Sequence, residues 1–147
     1  MKSILSKHNG FSLLELMIVL VLGGLLAGVV ATSISNGPVL RKTARDVMSS
    51  LRHARSIAVM QQKPMVWKMD IETKKFWIDG VGFKSKKMNK SIDAKLHTAE
   101  SEVVNQNVGG VRFFPDGSST GGKVDLIYKK QKYVVNVEWI SGRISLQ

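Results

Sequence analysis

The spacing of apolar and polar residues divides this chain into three stretches. In the first, Leu16 to Ala31 holds only apolar residues and glycines, preceded by Phe11-Ser12-Leu13-Leu14-Glu15. As a helix, residues 11–31 would span about 31 Å, enough for the hydrocarbon core of a bilayer. In the second, after the interruption at Asn36-Gly37-Pro38, residues Leu40, Ala44, Val47, Leu51, Ala54 and Ala58 recur at spacings of four and three. That period predicts an amphipathic helix over Val39–Met60 with one buried stripe, and Arg41, Lys42, Arg45, Arg52 and Arg55 fill its other faces.

From Pro64 the period becomes two. Met65 to Met69 and Lys75 to Ile78 predict a hairpin around residues 70–74. Residues 79–110 carry the weakest pattern. Lys84, Lys86, Lys87 and Lys90 lie among glycine and serine, which predicts a mobile loop, and Ile92 to Leu96 alternates as a short strand. Val111 to Phe114 predicts a strand ended by Pro115-Asp116-Gly117, with a long turn running to Gly122. Val124 to Tyr128 and Tyr133 to Trp139 predict a hairpin around Lys129-Lys130-Gln131-Lys132, and Ser141-Gly142-Arg143 turns into a last strand at Ile144 to Leu146. The expected class is α+β: a long helix followed by antiparallel sheet.

At 147 residues the chain has room for an anchor and one core. It has no cysteine, which excludes disulfides and thiolate metal sites. The formal charge is +11. The ten residues before Phe11 are polar and basic, with Lys2 and Lys7, which orients the apolar helix with its N-terminus in the cytoplasm and places the downstream residues outside the inner membrane. Without those two lysines the charge is 11 − 2, or +9. Catalytic chemistry has no constellation to work with. His8, His53 and His97 lack ligand spacing, no Gly-x-Ser-x-Gly elbow occurs, and Asp116-Gly117-Ser118 lacks the acidic ladder of a calcium loop. Neither Gly109-Gly110 nor Gly121-Gly122 opens a phosphate loop. The expectation is no enzyme, no metal and no cofactor.

A carboxylate inside an apolar run is costly and signals function. A secretory signal peptide accounts for it badly, because the apolar run is too long and the small-residue cut near Ala27-Gly28-Val29 falls inside it. Gly10-Phe11 followed by Glu15, between a basic head and an apolar run, instead resembles the class III signal of type IV pilins and type II secretion pseudopilins. The resemblance implies cleavage between Gly10 and Phe11 by a membrane prepilin peptidase, which also methylates the new amine of Phe11. It implies that Glu15 pairs with the terminal amine of a neighbouring pilin or pseudopilin in a filament. The division it implies is a leader at 1–10, a transmembrane and assembly helix at 11–34, an amphipathic helix at 35–62 and a periplasmic β domain at 63–147.

Later motifs narrow the family. Leu40-Arg41 with Ala44-Arg45, Leu51-Arg52-x-Ala54-Arg55-x-x-Ala58, Phe114-Pro115-Asp116-Gly117-Ser118-Ser119 and Gly142-Arg143-Ile144 resemble the GspH/FimT group. That resemblance implies a type IV pilin-like fold, with the long helix packed on a C-terminal antiparallel β-sandwich. It implies a minor pseudopilin at the tip of a short periplasmic filament that drives export of folded proteins. The alternative is a FimT-like minor pilin that binds DNA for natural transformation, with Lys129, Lys130, Lys132 and Arg143 as its DNA contacts. Binders of that type resemble one another in a Gly-Arg-x-Arg segment, and this chain has Gly142-Arg143-Ile144-Ser145.

Overall fold

A computed structural model of the chain describes residues 11–33 and 37–147, with the side chains of 27–37 left aside. The expected leader, Gly10 and residues 34–36 lie outside the described residues. Contacts divide the chain into two compact units, one ending at Ser35 and one spanning Asn36–Gln147.

The first unit is built on helix α1, Leu13–Ser33. Its first turn closes as Leu16 N donates to Ser12 O at 3.1 Å. Every side chain from Phe11 to Leu26 is exposed, on all sides of the helix. Among the described residues, no helix is long and apolar enough to cross a membrane. Described side chains in α1 reach Leu26, roughly 21 Å of helix, and the apolar sequence runs on to Ala31.

The second unit begins with α2, Gly37–Gln61. Pro38 is the second residue of α2, and the expected interruption at Asn36-Gly37-Pro38 falls partly on residues outside those described. The predicted stripe is the buried face: Leu40, Ala44, Val47, Leu51, Ala54 and Ala58 are all wholly buried. Thr43 and Ser50 also face inward. Thr43 Oγ1 donates to Val39 O and Ser50 Oγ to Val47 O, so neither hydroxyl is stranded. Ser50 Oγ in turn accepts the indole N–H of buried Trp67 at 2.8 Å, joining helix to sheet through a satisfied polar contact.

Among the described residues, eight strands form two antiparallel four-stranded sheets. Sheet A has the order β3-β2-β1-β5, with β1 Met65–Asp70, β2 Lys75–Ile78, β3 Lys86–Lys87 and β5 Val108–Phe113. Sheet B has the order β4-β6-β7-β8, with β4 Asp93–Thr98, β6 Gly122–Tyr128, β7 Gln131–Val137 and β8 Ile144–Leu146. Alternate residues turn inward. Trp67 and Met69 of β1, Phe76 of β2, Val111 and Phe113 of β5, Val124 and Leu126 of β6 and Val135 of β7 close a single core with the α2 stripe. A fully buried Leu or Phe in such a core contributes about 1.5–3 kcal/mol.

Three expectations change. The lysine-rich stretch expected as a mobile loop is tied down: Lys86–Lys87 pairs with β2, Met88 and Ile92 are buried, and Lys74 Nζ donates to Lys90 O and Ile92 O at 2.6 and 2.7 Å. The region 79–110 also holds a short 3-10 helix, Glu100–Glu102. Its buried Glu102 accepts from Arg112 Nε and Nη2 of β5 at 2.8 and 3.2 Å, a bidentate pair that fixes the helix on sheet A. Finally, the β6–β7 turn contains only Lys129 and Lys130. Lys132 is therefore not at a hairpin tip but within β7, where its Nζ meets the carboxylate of buried Asp125 at 2.9 Å.

Candidate functional site

The motifs of the C-terminal unit, far apart in sequence, converge on one arginine. Arg55 follows Ala54 by one residue, which carries it about 100° round the helix from the buried stripe to the margin of the core. There its Nε donates to Gly117 O at 3.0 Å. Gly117 ends the Phe114-Pro115-Asp116 turn, in which Gly117 N donates to Phe114 O and Phe114 N to Ser118 O. Asp116 Oδ1 accepts from the hydroxyl and the amide of Ser118, and those bonds hold its carboxyl below the ordinary carboxylate range.

The β7–β8 turn packs on the same spot. Gly142 N donates to Glu138 O and Glu138 N to Arg143 O, so the turn is closed on both sides. Gly117 and Gly142 have φ of +85° and +60°, which side chains rarely adopt. A Cβ on Gly142 would also lie 2.2 Å from Gly117 O and 2.9 Å from Arg55 Nε. Glycine is required there for both reasons, and the two turns stack directly because of it.

Beside this lock opens a cleft of about 870 Å³, lined by Arg52, Arg55, Glu138, Ser141 and Arg143 among others. Glu138 is the acidic residue of that lining. Its Oε2 takes the Ser141 hydroxyl at 2.6 Å and stands 3.8 Å from Arg143 Nε, a loose pairing. Three guanidiniums around one partly engaged carboxylate leave a positive surplus suited to an anion.

The other sequence-predicted residues fall elsewhere. Phe11 is 75% exposed ahead of α1, and Glu15 is exposed in its first turn. Lys129 and Lys130 cap the β6–β7 turn, with Lys129 Nζ 5.5 Å from the centre of the Tyr128 ring. Arg143 follows the other end of β7, roughly 20 Å away along the strand. Structure thus disperses the four expected DNA contacts: two at one end, one paired with Asp125, and one in the arginine cleft. Arg52 and Arg55, which the sequence placed only on the polar faces of α2, line one cleft with Arg143. Among the described residues no group of three or more His, Cys, Asp and Glu is placed to hold a metal ion.

A long helix whose stripe closes an antiparallel two-sheet domain, behind an apolar N-terminal helix, is the architecture of the type IV pilin-like proteins. Solved structures share it at low identity. The minor pseudopilin EpsH from the type 2 secretion system of Vibrio cholerae superimposes with a TM-score of 0.57 at 12% identity, over 74% of this chain and 96% of that one. The type IV minor pilin FimU of Pseudomonas aeruginosa does so with a TM-score of 0.57 at 19% identity, over 74% and 87%. Residues 5–31 match the model of the prokaryotic N-terminal methylation motif, and residues 43–141, about two-thirds of the chain, match that of type II transport protein GspH. The chain belongs to the GspH family. The type II secretion system protein H of Xanthomonas campestris pv. campestris is 29% identical over 139 residues, which are 92% of this chain and 81% of that protein.

Proposed function

We propose that this protein is a minor pseudopilin of a type II secretion system, held in the inner membrane by α1 with its C-terminal unit in the periplasm. It acts there as a structural subunit of the pseudopilus tip and not as a catalyst. The observation that carries this reading is the likeness to a type II secretion protein H over nearly the whole chain, joined to the methylation motif at its start. The fold supports pseudopilin and pilin equally, since EpsH and FimU superimpose with the same TM-score.

Its partners on this reading are other pseudopilins and the prepilin peptidase that cuts after Gly10 and methylates Phe11. Glu15, exposed like every other described side chain of α1, is then the partner for a neighbour's terminal amine. The DNA-uptake reading is weaker because Lys129, Lys130, Lys132 and Arg143 do not form one patch. A strain lacking the gene, assayed in parallel for extracellular enzymes and for natural transformation, decides between them. We expect loss of secreted enzyme activity with transformation unchanged; the reverse outcome would establish the pilus role instead.

A further inference from the structure

We propose that the notch formed by Arg52, Arg55 and Arg143 is a docking surface for a neighbouring filament subunit, which inserts a carboxylate there beside an apolar side chain. The identity of the partner as a filament subunit rests on the function proposed above; the chemistry of the notch does not.

Three observations define the occupant. First, the charge is only partly compensated. Arg52 has no acceptor among the described residues, Arg55 spends its Nε on Gly117 O and shows no acceptor for its terminal nitrogens, and Arg143 meets Glu138 only at 3.8 Å. Arginine forks match carboxylates in bidentate fashion, so the vacancy has a defined shape. Second, the backbone walls of the notch and Arg55 are held in place. Gly117 O fixes Arg55, and the close contact of Gly142 with Gly117 fixes the wall that carries Arg143, so the cost of ordering on binding is reduced.

Third, apolar residues adjoin the notch in sequence. The turn that supplies Glu138 and Arg143 also carries Trp139 and Ile140, each 65% exposed, with Trp139 lining the neighbouring cleft beside Gly121 and Lys123. Exposed tryptophan and arginine carried on one turn are enriched in protein–protein hot spots. A nucleic-acid backbone fits less well. It needs a row of cations along successive phosphates, whereas Glu138 sits within the notch and Lys129 and Lys130 are at the far end of β7.

The test uses the full-length protein in its own membrane. A photoreactive p-benzoylphenylalanine replaces Ile140 in one strain and Lys130 in another. Irradiation should give a protein adduct at position 140, which peptide mass spectrometry maps to a partner segment containing Asp or Glu. Arg52→Glu and Arg143→Glu should each lower that adduct by about tenfold, since each replaces an attraction for the partner's carboxylate by a repulsion. Changing the partner's carboxylate to lysine should restore it in the Arg52→Glu background. Equal protease resistance of the variants shows that they remain folded.

An adduct with nucleic acid, an adduct indifferent to both arginines, or equal adducts at 130 and 140 would overturn the proposal. An arginine-dependent adduct to a protein outside the filament would keep the carboxylate notch and overturn the secretion-filament reading. Secretion that requires the chain, with no arginine-dependent adduct, would do the opposite.

Discussion

Among the described residues, the α-helices α1 and α2 are opposite in what they leave undone. Helix α2 turns one stripe of apolar residues into a core supplied by its own sheets, and its polar faces meet water. Helix α1, apart from Glu15, is apolar around its described circumference, and every described side chain of it is exposed. A helix that is apolar all round must be covered by lipid or by other helices. So α2 is a folding element of its own unit, and on the filament reading α1 is an assembly element, covered by lipid or by neighbouring helices. Substitutions in the two should therefore report on different measurements.

The largest effect belongs to α1. On the filament reading, Glu15→Ala strands the terminal amine of a neighbour in the bilayer, and loss of one partner of a buried pair costs about 3–5 kcal/mol. We expect incorporation, scored by crosslinking to other pseudopilins, to fail while thermal unfolding of the C-terminal unit stays the same. Normal incorporation would erase the contrast between the helices. Gly10→Val should act one step earlier, leaving an uncleaved chain detectable by intact mass.

In α2 the readout reverses. Leu51→Ala, at a wholly buried position, should destabilise by about 2–5 kcal/mol in denaturant titration, while Leu20→Ala in α1 should change that titration by less than about 0.5 kcal/mol. Comparable losses would mean that α1 also contributes to the folded core. Gly142→Ala should cost about 1–3 kcal/mol, because it combines a positive φ with a clash against Gly117 O. It sharpens the comparison by testing the far margin of the α2 seam, where Arg55 and the two turns meet.

The smallest effect is a pH dependence in sheet B. The Asp125 carboxyl is held below its ordinary value chiefly by the hydrogen bond from Lys132. A depressed carboxyl favours the folded state above its unfolded pKa, and that contribution is lost as pH falls through the folded one. Stability should therefore drop below about pH 4, and Lys132→Met should flatten that part of the curve. The amplitude is small because about half of the Lys132 side chain is in water.

Some of this was legible from residues alone, and the reason differs by element. The α2 stripe was readable because burial on one helix face imposes a period, and all six of its positions are buried. The β1–β2 hairpin was readable because its inward residues are large. Strand β4 borders sheet B and alternates only between exposed and half-buried, so its sequence carries little contrast. The Glu102–Arg112 pair leaves no local signal, since its members meet only after the chain folds back. The β6–β7 turn misled for a chemical reason: Lys129 adopts φ of +53° without the glycine or asparagine that normally marks such a position, so four polar residues looked like one loop. The convergence on Arg55 is a similar case, for the motif residues were visible and their meeting point was not.

The brevity of strand β3 has a consequence for a protein built to polymerise. A filament that grows through its N-terminal helices must not also grow through its sheets, since open strand edges pair indiscriminately with other chains. Sheet A ends at a pair of lysines, Lys86–Lys87, too short to template a new strand, and sheet B ends on one side at the three residues of β8. On β5, the other border of sheet A, bridges from Val103 to Gly109 and from Ser119 to Phe113 occupy both ends of the strand. The fourth border, β4, is six residues long but exposes Asp93, Lys95 and His97 along it. Short, bridged or charged borders disfavour sideways, amyloid-like stacking between copies.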